Sequence, residues 1–423
     1  MITEGPPARG ALKVNARGIP MKVSNRAMQT QASPIRKLIP YANEAEKRGI
    51  KVIKVNIGQP DIVTPGFAME AVTGFDEPVL AYSPSDGFNS LREKIARYLA
   101  HYGINVDAPQ VSVTTGGSEA IVFAIAAVCD AGQNIVVPEP FYANYKSFAT
   151  MLGVEVVPLT THFRNNFHVE DAKELQKRIN KKTRAILLCN PGNPTGTVYT
   201  REEIGMFARV AIERDLFIIS DEVYREFLYD GASFVSPMSL KEIEERVIIT
   251  DSISKRYSSC GARIGFLAAK NEDVLQAVHK FAMARLSPPT IGQRLAERAF
   301  DMDFSYFREV VGEYEARRNA LIGELAKCED ISFAKPEGAF YMMVRLKNVD
   351  SESFARFLLE EFQLEGETVL VAPGPGFYAT EGLGADEVRI AYILNRERME
   401  RAGRIITEGF RAYREKKGRR DNP

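Results

Sequence analysis

Four segments of the chain place polar or glycine-rich residues directly after short apolar runs. TTGGSEA (114–120) follows VSV, NPGNPTG (190–196) follows AILLC, DEVY (221–224) follows FIIS, and DSISKRYSSCGARIG (251–265) follows VIIT. Each polar residue has an ordinary reading by itself. Lys255 reads as a solvated loop charge, Asp221 and Ser118 as helix caps, and Asn193 as part of a turn dictated by Pro191, Gly192, Pro194 and Gly196.

Together they form a chemical set. Lys255 offers a primary amine. Asp221 offers a carboxylate at the end of a strand buried on both faces, where ionisation is costly unless a cation meets it. The backbone at Gly117, with Ser118, Ser252 and Arg263, offers donors suited to a phosphate. Pyridoxal phosphate uses all three, because its aldehyde condenses with a lysine amine and its ring nitrogen draws electrons when a carboxylate keeps it protonated.

These residues need a scaffold that brings strand ends to one rim. From about 110 to 270, short β-branched runs (VSV, NIVV, RAILLC, LFIIS, VIIT, IGFLAA) alternate with amphipathic stretches such as SEAIVFAIAAVC and REEIGMFARVAIER. This alternation predicts an α/β fold with a mainly parallel sheet covered by helices, in which ligands bind beyond the carboxyl ends of the strands. After about 310 come a long charged helical stretch, strand-like GAFYMMVRL, helical SESFARFLLEEF and strand-like VRIAYI. The expected organisation is a flexible tail at 1–20, the N-terminal part of a small α+β domain at 21–55, a large domain at 56–310, and the C-terminal small domain at 311–423. The composition of 415–423 also reads as disordered.

The remaining composition excludes other chemistries. Among 423 residues, 55 Lys and Arg balance 55 Asp and Glu, so no bulk field favours nucleic acid or an anionic membrane. The four cysteines are widely separated, with no CxxC pair and no histidine at metal spacing, which predicts free thiols in a reducing compartment and no metal. No Gly-Lys-Ser/Thr follows the glycine pair of TTGGSEA, so it is not a nucleotide-binding loop of that type. The GxGxx-like stretch APGPGFYATEGLG (372–384) does not open a helix within a βαβ unit and reads as a loop near the cleft. No apolar stretch has transmembrane length, and a cytoplasmic protein is the default expectation.

With NIGQPD (56–61), YSPSDGFNSLREKIARYL (82–99), PEPFYANY (138–145), SDEVY (220–224), SISK followed by GARIG, and VRIAYI (388–393), the chain resembles the class I/II aminotransferases. These are the aspartate-aminotransferase-like enzymes of pyridoxal-phosphate fold type I, and the likeness runs from about Ile35 to the end of VRIAYILN. The spacing agrees: 28 residues from Asn193 to Asp221, 34 from Asp221 to Lys255 and 8 from Lys255 to Arg263. The resemblance implies a seven-stranded sheet in the large domain. It implies that Lys255 is the Schiff-base lysine, that Asp221 pairs with the ring N–H, and that Asn193 and Tyr224 bond the ring 3-oxygen. Tyr142 would stack on the ring, in a chain with no tryptophan. Arg389 would grip the substrate α-carboxylate, with Gly58 beside it, and Tyr82 would reach the phosphate of a second subunit in a homodimer. The implied reaction moves the amino group of an L-amino acid to 2-oxoglutarate in a ping-pong cycle. Aspartate is the first expectation for the donor, with Arg285 as the second cation that an acidic side chain needs. Aromatic or alanine donors, or a C–S β-lyase using the same core residues, are the alternatives. Ala262 departs from the family, where an aromatic residue commonly precedes the glycine-flanked arginine.

Overall fold

The computed structural model describes residues 22–421. Its centre is a seven-stranded sheet built from β2 (Val111–Thr114), β3 (Asn134–Glu139), β4 (Glu155–Thr160), β5 (Thr183–Cys189), β6 (Phe217–Asp221), β7 (Val247–Ser252) and β8 (Gly265–Ala269), in the order β2-β8-β7-β6-β5-β3-β4. Strands β7, β6, β5, β3 and β4 pair in parallel, and β8 runs antiparallel to both its neighbours. The apolar runs are continuous because these strands are covered on both faces: Ile218, Ile219, Ile248 and Ile249 are at most 1% exposed. The edge strand β4 was not anticipated in the sequence, and its burial is only partial.

Two glycines fix how the phosphate-type loop meets the sheet. Gly116 takes a left-handed φ of +75° at the start of helix Gly116–Val128, and a Cβ there would fall 2.4 Å from the Arg263 guanidinium. A Cβ on Gly265, where β8 begins, would lie 2.5 Å from the Gly116 carbonyl carbon. The loop after β2 therefore rests directly on β8.

Strand β1 (Lys51–Lys54) pairs in parallel with β11 (Glu367–Leu370), which joins the N-terminal segment to the C-terminal third of the chain. A four-stranded antiparallel sheet of β12 (Ala372–Pro373), β13 (Glu387–Ala391), β10 (Tyr341–Leu346) and β9 (Ile331–Phe333) lies in the same part. Helices Ser305–Leu325 and Arg396–Asp421 pack alongside each other against it. The expected tail at 1–20 lies outside the described residues. The expectation of disorder at 415–423 fails as far as Asp421, because the last helix continues that far. An apolar face not evident from its charged composition anchors it, Tyr413 packing on Phe354 and Phe357 at 5.8 and 5.1 Å between ring centroids. Among the described residues no helix is long and apolar enough to cross a membrane.

Candidate active site

The strand ends meet at a cavity of about 480 Å³ whose lining includes Gly58, Gly117, Ser118, Tyr142, Asn193, Asp221, Tyr224, Ser252, Lys255, Arg263 and Arg389. Ser252 ends β7 and caps the one-turn helix Ile253–Arg256 by accepting the Ser254 N–H, which presents Lys255 to the cavity. The Lys255 amine donates to the Gly58 carbonyl at 2.8 Å and lies 3.8 Å from the Cys260 sulfur. Gly58 admits no side chain, since a Cβ there would coincide with the Tyr341 hydroxyl. Ser118 is not the N-cap that the sequence led us to expect. Thr115 holds that position, and Ser118 sits in the first helical turn facing the cavity.

In the cavity wall, two buried charges lack an opposite charge among the described residues. Asp221 is 7% exposed and takes a 2.5 Å hydrogen bond from the Tyr145 hydroxyl, yet among the described residues no cation lies within ion-pair distance of it. Burial pushes its carboxyl up to about 7; the Tyr145 bond opposes this, and the nearby Asp251 and Glu222 charges add to it. Arg389, on β13, is 1% exposed. It donates to the Asn193 side-chain oxygen at 3.0 Å and to the Asn56 carbonyl, while its Nε has no partner. Desolvation lowers its ionisation below the ordinary guanidinium value, and the rings of Tyr341 and Phe377 flank it at 4.5 and 4.7 Å.

The aromatic residues are ordered around these charges. The hydroxyls of Tyr224 and Tyr341 are 3.0 Å apart. Tyr142 stands edge-on to Tyr145 and accepts a hydrogen bond from Asn144, with burial pushing its phenol up to about 12. Arg263 adopts a left-handed φ of 55° and stays exposed at the rim over Gly116. This donor set suits pyridoxal phosphate. A protonated ring nitrogen would supply the cation that Asp221 lacks, a substrate carboxylate would supply the anion that Arg389 lacks, and the glycine–serine turn with Arg263 offers phosphate donors beside the Lys255 amine.

Two anticipated residues lie elsewhere. Arg285, at the end of helix Glu272–Arg285, is absent from the lining. It pairs with Glu119 at 2.9 Å and donates to the carbonyls of Ser85 and Val113 at 2.8 and 3.3 Å, so its guanidinium is already engaged. Tyr82 is 78% exposed on the surface and also outside the lining. Conversely, Tyr145, Tyr341, Asn56 and Arg36 were not singled out in the sequence. Tyr145 lies in the first turn of helix Asn144–Leu152, three residues after Tyr142 in the same PEPFYANY stretch. Tyr341 reads only as a strand aromatic.

Comparison with known proteins agrees with this geometry. A family model, aminotransferase class I and II, matches residues 50–406. The aromatic-amino-acid aminotransferase 2 of Thermococcus litoralis is 34% identical over 391 residues, spanning 90% of this chain and 96% of the relative. The aspartate aminotransferase of Bacillus subtilis is 30% identical, with 90% and 97% covered. Among solved structures, an alanine aminotransferase from Pyrococcus furiosus superposes with a TM-score of 0.85 at 29% identity, covering 92% of this chain and all of the other. An aspartate aminotransferase from Thermotoga maritima gives 0.83 at 30% identity, with 91% and 99% covered. A family match over most of the length, on a seven-stranded α/β sheet whose strand ends hold this donor set, establishes that the chain belongs to the class I and II aminotransferases and is a pyridoxal-phosphate-dependent transaminase of fold type I.

Proposed function

We propose that this transaminase moves the amino group of an L-amino acid to 2-oxoglutarate in a ping-pong cycle, with aspartate as the leading donor. The observation that carries the reading is Lys255 set in one cavity with two buried and unpaired groups of opposite charge, Asp221 and Arg389. Bound pyridoxal phosphate supplies a sink for the electron pair left at the substrate α-carbon. Lys255 would hold the cofactor through its amine, and that amine is the group placed to move a proton at the substrate α-carbon. Asp221, oriented by Tyr145, keeps the ring nitrogen protonated. Asn193 and Tyr224 bond the ring oxygen, Tyr142 covers one ring face, and Gly117, Ser118, Ser252 and Arg263 bind the phosphate. Arg389 fixes the α-carboxylate, and therefore which face of the α-carbon meets the lysine.

An acidic donor needs a further cation. With Arg285 engaged by Glu119, Arg36 at the cavity rim is the better candidate, because among the described residues no carboxylate lies within ion-pair distance of it. A second reading, an aromatic donor, is favoured by the apolar part of the lining, Ile35, Ile57, Tyr142 and Tyr341. The same proposal assigns residues 56–310 to the cofactor-binding domain and joins 21–55 with 311–423 in the small one, supported by the pairing of β1 with β11. It includes a homodimer in which Tyr82 completes the partner's phosphate site. Exposed apolar side chains beside it, Val79 and Leu80, with Met283, Leu286 and Ile291, support such an interface. Four free cysteines fit a reducing, cytoplasmic setting.

The test is an amino-acid panel assayed with 2-oxoglutarate on purified protein supplied with pyridoxal phosphate. Aspartate is expected to give the highest kcat/KM, and Arg36→Ala to lower it for aspartate more than for phenylalanine. An aromatic amino acid leading the panel would replace aspartate as donor. Absence of transfer from every amino acid would sink the reading.

A further inference from the structure

Arg256 follows Lys255 in the sequence and takes no part in the chemistry so far. It is 0% exposed and donates to both carboxylate oxygens of Asp251, at 2.6 and 2.7 Å. Arg225, equally buried, bridges Asp251 at 2.9 Å and Glu222 at 2.6 Å. Glu226 lies 3.4 Å from the Arg256 Nε and accepts from the Tyr98 hydroxyl, which in turn accepts from Arg225 at 3.1 Å. The Arg256 guanidinium lies 4.6 Å from the centre of the Tyr98 ring.

The sequence positions of this cluster are informative. Glu222 adjoins Asp221, Arg225 adjoins Tyr224, Asp251 adjoins Ser252, and Arg256 adjoins Lys255. No member of the cluster lines the cavity, whereas all four of these neighbours do. Within β7 the successive residues Asp251 and Ser252 point to opposite sides, and the other three pairs divide the same way between cluster and cavity. Four site side chains therefore point one way, and the charges that follow or precede them point the other.

We infer that Arg256, Arg225, Asp251, Glu222 and Glu226 form a positioning cluster that locks the backbones carrying Lys255, Asp221, Tyr224 and Ser252 at one spacing. A buried ion pair adds little net stability over apolar packing, and its constraint is geometric: each guanidinium tolerates a narrow set of carboxylate positions. The Asp251 carboxylate also accepts the Ser252 N–H at 2.5 Å, so the link from the cluster to the cavity runs through one residue. There is an electrostatic consequence as well. Burial works against the Arg256 charge, but Asp251 and Glu226 outweigh it and hold it ionised. The charges of Arg256 and Arg225 in turn offset Asp251 and Glu222, two carboxylates that push Asp221 toward its neutral form.

The inference rests on the reading of Lys255 as the amine that holds the cofactor. The test compares Arg256→Gln, Arg256→Lys and the charge-balanced double variant Asp251→Asn/Arg256→Gln with the parent, all as full chains supplied with pyridoxal phosphate. Thermal unfolding, kcat, KM and the pH midpoint of the visible absorbance are measured. Arg256→Gln is expected to lower kcat by at least about tenfold with KM changed less than about twofold, and to shift the absorbance midpoint, since small displacements of a reacting group cost this much. Arg256→Lys should recover part of the loss by keeping one charge opposite Asp251. The double variant removes one charge of each sign and leaves Arg225 paired with Glu222, so it should unfold closer to the parent temperature than Arg256→Gln does while kcat stays low. A double variant with parental kcat and midpoint overturns the inference, whatever Arg256→Gln does to folding. If the parent's absorbance band survives Lys255→Ala, the lysine reading falls and this inference with it, a result scored with the cluster intact.

Discussion

Asp221 ends β6 and Asp251 is the next-to-last residue of the neighbouring β7; both are buried, and they live in opposite electrostatic conditions. Asp251 faces two guanidiniums at 2.6 to 2.9 Å, while Asp221 faces a tyrosine hydroxyl and, among the described residues, no cation. The same contrast holds between arginines. Arg256 and Arg225 are paired with carboxylates, and Arg389, equally buried, has only neutral acceptors among the described residues. Buried charges that the chain satisfies internally define a scaffold. Those left unsatisfied define where a ligand must complete the structure.

The sharpest way to break this contrast is at the amine between the unpaired charges. Lys255→Ala should abolish both the visible absorbance and turnover, a loss of at least about 10³-fold in kcat, because no other cavity group can replace a covalent amine. Arg389→Ala should lower kcat/KM for every amino donor by about 10²-fold or more, read by steady-state kinetics, since the unpaired guanidinium is what orients the carboxylate. Arg389→Lys should recover little, as a point charge cannot form two parallel bonds.

Asp221 allows the contrast to be read without catalysis. Its carboxyl is raised from the usual range to about 7, so the folded protein without cofactor binds a proton there that the unfolded chain has released. Its contribution to stability is therefore full below the ordinary carboxylate value and is lost as pH rises from about 4 through about 7. Denaturant titrations of the cofactor-free protein and of Asp221→Asn across this window should differ in slope by an amount on the order of a few kcal/mol in total. Parallel curves would show that Asp221 is not the unsatisfied group described. The smallest effect belongs to a paired charge: Arg285→Ala should change kcat/KM for aspartate by less than about threefold, with equal changes for aspartate and phenylalanine.

The strand-end chemistry was legible in the sequence because buried parallel strands read as apolar runs and end where polar residues begin. Lys255, Asp221, Asn193 and Arg263 all follow that rule, and all four line the cavity. Arg285 was misplaced because sequence carries no sign that Glu119, in the first turn of a distant helix, takes its guanidinium. Tyr145 and Tyr341 were missed for a different reason: an inward aromatic on a helix or strand has the same pattern whether its hydroxyl meets core or cofactor. The engagement of Arg256 was equally hidden, since pairing between adjacent strand ends depends on register and not on composition.

The bond from Arg389 to the Asn56 carbonyl joins residues 333 positions apart. Asn56 in turn ties down the Ile35 carbonyl beside Arg36. During synthesis the large sheet, with Lys255 and Asp221 in place, can form long before β13 leaves the ribosome. The cavity is therefore finished only when the last strands of the chain have been made, since Arg389 on β13 is the final member of its lining to be synthesised.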